Sequence, residues 1–160
     1  MLPLIKFLWL ASMLIFLVIL LVTYMYLPEQ VNLFVAELGK IDKQIYFYSY
    51  LLILLVSNVS IIFLGKMLPF LPKNLILVPQ KNEWLAEKNN EILLFKNLNY
   101  WVKGLGFIIN IFLIISLLSI YTLNDSFVKY PTTWLYLLIP ILFVGWFVVY
   151  FNNFSSPPKD

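Results

Sequence analysis

Four apolar runs constrain this chain more than anything else in it. They lie at about 4–26, 45–64, 104–123 and 134–151, and each is long enough to cross a hydrocarbon core of about 30 Å at about 1.5 Å per residue. Inside lipid a segment must satisfy its own backbone N–H and C=O groups, so these runs are expected as helices. The predicted fold is therefore an all-α membrane protein. It is a four-transmembrane-helix bundle, one integral membrane domain over residues 1–160, with an amphipathic cytoplasmic helix before the third span. Composition agrees: only 12% of the residues are charged, against about a quarter in soluble domains.

The polar interval 65–103 separates the runs into two pairs and carries Lys66, Lys73, Lys81, Lys88, Lys96 and Lys103. With Lys6 and Lys159, eight lysines fall at the two termini and in this interval, while the other loops hold Lys40, Lys43 and Lys129. The positive-inside bias then places both termini and the interval in the cytoplasm. Tyr24, Tyr26, Tyr46, Tyr48, Tyr121, Tyr130 and Trp134 fall at the predicted outer interface, and Trp9, Trp101 and Tyr150 nearer the inner one. A net charge of +3 spread in ones and twos beside apolar segments reads as a topology signal, not as a nucleic-acid footprint.

The first run ends in Tyr24-Met25-Tyr26-Leu27-Pro28 without a small-residue cleavage site, so it is expected to stay as an anchor. Leu27 to Gln44 is a short polar loop, with Pro28 and Gly39 as its punctuation. Within the second run Ser57, Asn58 and Ser60, and within the third Asn110, Ser116 and Ser119, are expected as hydrogen-bonding glue between helices. Met67 to Gln80, interrupted by Pro69, Pro72 and Pro79, reads as an extended strip along the membrane surface. From Glu83 onward, Ile92, Phe95, Leu98, Val102 and Leu105 recur at three- and four-residue steps. That periodicity predicts an amphipathic helix, with Lys88, Lys96, Trp101 and Lys103 meeting the lipid surface and a continuous or bent passage into the third span near Gly104 and Gly106. Pro140 lies inside the fourth run, where a kink is tolerated and a packing role expected.

Catalytic chemistry has little to build on. The chain has no cysteine or histidine, and all eleven of its basic residues are lysines, so thiolate, imidazole and guanidinium groups are all missing. No metal site or cofactor is expected. Apart from Lys6 at its start, no run contains an ionisable Asp, Glu or Lys, which argues against an intramembrane protease and against a proton or cation carrier. Glu83, Glu87 and Glu91 stand four apart, as on one helical face. They read as a solvated edge shared with Lys88, the alternative being a docking edge for a basic partner. Gly104-x-Gly106 follows no strand, so a bend or close helix packing accounts for it better than a phosphate loop.

One loop resembles a known group. Leu27-Pro28-Glu29-Gln30-Val31-Asn32-Leu33-Phe34-Val35-Ala36-Glu37-Leu38-Gly39-Lys40-Ile41-Asp42 is similar to the loop after the first helix in bacterial membrane proteins sharing the N-terminal domain of the sporulation-delaying-toxin immunity family. Leu27, Pro28, Val31, Gly39 and Asp42 fall in register. Trp84-Leu85-Ala86 followed by Glu91 resembles a second stretch of that group. Asn32, Phe34 and Val35 stand where the group often has proline, histidine and phenylalanine, and Glu87 to Asn90 lack its arginine pair. The resemblance implies a multi-pass protein of the bacterial inner membrane that works by binding rather than catalysis.

Two functions follow as expectations. One is a non-enzymatic accessory subunit of a larger membrane complex, with lipids and other integral membrane subunits as partners and Asn58, Asn110 and Pro140 in its helix packing. The other is a receptor or immunity-type protein that meets an extracellular ligand through the 27–43 loop, with Phe34, Gly39 and Asp42 as contacts. A small-molecule transporter is the weaker third.

Overall fold

The computed structural model describes residues 2–33, 39–124 and 132–157. The chain is mostly helical, and four of its helical stretches are long and apolar enough to cross a membrane: Pro3–Tyr26, Lys43–Phe70, Lys88–Asn124 and Trp134–Phe154.

Helix α1 (Leu2–Tyr26) opens on Pro3, tolerated there because the first N–H groups of a helix have no internal partner. It closes where Leu27 N–H donates to Thr23 O and Pro28 follows. A two-stranded antiparallel hairpin comes next, β1 (Gln30–Asn32) paired with β2 (Lys40–Asp42) in the register Gln30↔Asp42, Val31↔Ile41 and Asn32↔Lys40. Asp42 ends the hairpin and starts α2 (Lys43–Met67): its carboxylate accepts from Gln44 N–H at 2.7 Å, which satisfies one of the orphan donors of the first turn. Pro69 and Pro72 stop α2 and leave two short 3-10 turns, Leu68–Phe70 and Lys73–Leu75.

The interval after the turns departs from the single amphipathic helix expected from Glu83. Lys81–Ala86 forms a short helix, α3, and Glu87 is extended (φ −119°, ψ 138°) before α4 (Lys88–Asn124) begins. Glu83, Glu87 and Glu91 therefore do not share one helical face. Of the two passages expected at Gly104 and Gly106, continuous or bent, the helix is the continuous one: α4 is a single helix of 37 residues, about 55 Å at about 1.5 Å per residue, with both glycines inside it. Before Gly104 the stripe it buries is Leu94, Asn97, Leu98 and Val102, while Ile92 is exposed. A further 3-10 stretch, Thr132–Leu137, leads into α5 (Leu138–Phe154). Pro140 is thus exposed in the first turn of α5, where its missing N–H costs no helical hydrogen bond.

Helix α4 is the hub. It packs against α1, α2, α3 and α5 and carries twelve buried residues, against one in α5. Gly104 and Gly106 face Ile5 and Trp9, and Asn110 meets Ser12, so α1 runs parallel to α4. Gly65 faces Asn99 and Asn58 meets Asn110, so α2 runs antiparallel. Trp146 meets Gly104 and Tyr136 meets Phe112, so α5 is antiparallel as well.

Three apolar clusters follow along the bundle. Phe16, Leu20, Val31, Tyr46, Leu54 and Leu117 fill the hairpin end. Trp9, Ile61 and Val102 fill the middle. Ile76, Trp84, Leu94, Leu98 and Phe154 fill the opposite end. Between helices in lipid, close van der Waals packing replaces the hydrophobic effect as the cohesive force.

Candidate functional site

At mid-bundle three helices meet through polar side chains. Asn58 of α2 and Asn110 of α4 exchange amide hydrogen bonds: Asn58 Nδ2 donates to Asn110 Oδ1 at 2.8 Å and Asn110 Nδ2 donates to Asn58 Oδ1 at 3.2 Å. From α1, Trp9 Nε1 donates to Asn58 Oδ1 at 2.7 Å, and Ser12 Oγ accepts from Asn110 Nδ2 at 3.0 Å while donating to Trp9 O at 2.8 Å. Asn58 Nδ2 also reaches Leu54 O at 2.9 Å. Trp9, Ser12, Asn58 and Asn110 are all buried, and each amide oxygen and nitrogen of the pair has a partner. A closed network of this kind fixes the register of three helices.

The network draws its helices close at glycine. A Cβ on Gly106 would lie 2.7 Å from Trp9 Nε1 and 3.2 Å from Ile61 Cγ1, and one on Gly65 would lie 2.6 Å from Asn99 Oδ1. Gly104 accepts the indole of Trp146, 2.9 Å from where its Cβ would be. Trp146 in turn stacks on Trp101 with ring centroids 4.0 Å apart and planes 7° from parallel. Each indole N–H donates to the other's backbone carbonyl, Trp101 to Trp146 O at 3.3 Å and Trp146 to Trp101 O at 2.8 Å. This pair is how α5 is fastened to α4. Trp101 is thus half-buried against α5, Lys103 is half-buried with its ammonium 5.3 Å from the Tyr100 ring, and Lys88 and Lys96 are exposed.

At the hairpin end Asn124, the last residue of α4, treats the edge of β1 as a strand would. Its Oδ1 accepts from Asn32 N–H and its Nδ2 donates to Asn32 O, both at 2.8 Å. Val31 is fully buried beneath. Gly39 O accepts from Leu33 N–H at 2.9 Å and closes the hairpin. Of the loop residues singled out in the sequence, Asp42 is exposed and occupied in capping α2, Gly39 belongs to the hairpin closure, and Phe34 lies outside the described residues. Asn124, Trp9, Ser12 and Trp146 carry no local signal of partnership, since their partners lie on other helices and Trp9 by itself reads as an interface anchor.

Among the described residues no group of three or more His, Cys, Asp or Glu side chains could hold a metal ion. Glu91 forms an exposed ion pair with Lys73 at 3.2 Å, worth little by itself. Comparison with protein-family models, with curated proteins and with solved structures finds no match to the chain.

Proposed function

We propose that this protein is a non-enzymatic accessory subunit of a bacterial inner-membrane complex, with both termini in the cytoplasm, and that α5 is its docking helix. The lysine bias supports the orientation. The observation that carries the docking role concerns glycine. Gly65, Gly104 and Gly106 are each filled by a side chain from a neighbouring helix, whereas Gly145 of α5 has nothing within 4 Å. It lies on an exposed face with Ile141, Val144 and Val148. A glycine notch on a lipid-facing helix lets a second helix approach to backbone distance, which is how association in membranes is driven. The polar side chains at mid-bundle support the same reading, because each amide atom of Asn58 and Asn110 is paired within the bundle.

A photo-crosslinking residue at Val148 should capture a discrete membrane protein in native membranes, and one at Leu14, exposed on α1, should not. Equal capture of lipid alone at both sites would remove the proposal. A second reading is supported by the Asn124 clamp, which gives the hairpin a fixed base. In that reading the 27–43 loop, resembling the toxin-immunity group, meets an extracellular ligand. Asn124→Ala should then abolish a ligand response while assembly with membrane partners persists.

A further inference from the structure

We infer that the Leu68–Pro79 segment is an in-plane lipid anchor that embeds Phe70, Leu75 and Leu77 in the leaflet at the lysine-rich end of the bundle, among anionic headgroups. The segment cannot cross a membrane, since its backbone is broken into two 3-10 turns and extended chain. It is nevertheless held firmly in place. Ile76 is buried with Trp84, Leu94 and Phe154, and Leu77 O accepts a hydrogen bond from the Tyr150 hydroxyl.

Ile76 turns inward where the chain leaves the second 3-10 turn in extended conformation, and Leu77 after it turns outward by alternation. Leu77 is 84% exposed, Leu75 64% and Phe70 79%, an arrangement that would be costly in water and is ordinary against acyl chains. Depth follows from Tyr150. It lies four residues before Phe154, the end of α5, so Leu77 sits about 6 Å inside that end of the span. At the same level α5 exposes Phe147 and Phe151, so the apolar band of the spanning helix continues onto the segment without a step. Trp101, Trp146 and Tyr150, packed together at this level, have the composition of an interfacial aromatic belt.

Charge selects the headgroup. Lys66 is exposed just before the turns, Lys73 is exposed between them, where it also pairs with Glu91 at 3.2 Å, and Lys81 follows the strip. Basic groups beside an inserted apolar segment favour anionic lipid. The apolar side of the Lys88–Lys103 half of α4 is covered by α3 and α5, so the apolar surface open to lipid beside these lysines is that of the proline strip.

The absence of native cysteine makes the test direct. Nitroxides are attached to Leu77→Cys, Phe151→Cys and Asn82→Cys in the full-length protein, reconstituted in phosphatidylcholine vesicles with and without phosphatidylglycerol. Leu77 should match Phe151, with high oxygen and low nickel-chelate accessibility, and Asn82 should show the reverse. Phosphatidylglycerol should move the Leu77 label deeper, and Lys66→Gln with Lys73→Gln should cancel that shift. A Leu77 label as open to nickel as Asn82 would overturn the lipid anchor. No response to phosphatidylglycerol would overturn the choice of headgroup. If the Leu77 label in native membranes is shielded from both oxygen and nickel, a protein partner covers the segment and the inference is wrong.

Discussion

The amide pair at the centre of the bundle makes a quantitative prediction through Asn58→Leu, Asn110→Leu and the double variant. Removing the Asn110 amide deletes three hydrogen bonds, two to Asn58 and one to Ser12. No surviving group is stranded, because Asn58 keeps Trp9 and Leu54, and Ser12 keeps Trp9 O. At an average of about 0.6 kcal/mol per bond in membranes, Asn110→Leu should cost about 1–2 kcal/mol. Asn58→Leu is worse, since it strands Trp9 Nε1 and Asn110 Oδ1. A buried polar atom without a partner costs about 1–3 kcal/mol, so about 2–4 kcal/mol is expected. The double variant strands only the indole and should cost about as much as Asn58→Leu alone. The coupling energy is then about 1 kcal/mol or more, against about 0.5 kcal/mol for independent sites. Equilibrium unfolding of the purified variants in mixed micles of lipid detergent and dodecyl sulfate reads all four corners of the cycle. Additive costs would refute the reasoning, since they would mean that the two amides do not bond to each other in the membrane.

Gly106→Ala should destabilise the bundle by about 1–3 kcal/mol, because its Cβ meets the Trp9 ring at 2.7 Å; in the same unfolding assay Gly145→Ala should be neutral or mildly stabilising. Either Trp101→Phe or Trp146→Phe should abolish the circular-dichroism couplet of the stacked indoles and lower the unfolding midpoint together, since each loses one of the reciprocal N–H bonds. Asn124→Ala should cost about 1 kcal/mol and speed hydrogen exchange at the Asn32 amide several-fold while leaving exchange in α1 unchanged.

The four spans were legible because run length against hydrocarbon thickness is a one-dimensional property, and Asn58 and Asn110 stood out as amides in apolar surroundings. What they bond to was not legible. Pairing Asn110 with Ser12 joins residues 98 apart, and local periodicity carries no trace of which helices become neighbours. The partner of Trp9 is hidden for a related reason: an indole near a span end reads as a headgroup anchor, and only the fold shows that Gly106 of another helix receives it. The hairpin escaped because its strands are three residues each, too short for an alternating pattern. The break at Glu87 escaped because the apolar steps on either side of it still fit one helical period. Gly104-x-Gly106 was read as a bend or as close packing, and the contacts with Trp146 and Trp9 show close packing.

A role as an accessory subunit requires that α5 be an interface. The most direct measurement is native co-purification of the tagged protein and its Gly145→Leu variant from their own membrane in mild detergent, with the stoichiometry of everything that elutes. If α5 docks a partner, one membrane protein elutes in fixed ratio with the unmodified chain and is lost from Gly145→Leu, whose bundle stays folded because nothing lies within 4 Å of that glycine. A chain that elutes alone in both cases, or a partner retained undiminished by Gly145→Leu, would contradict it.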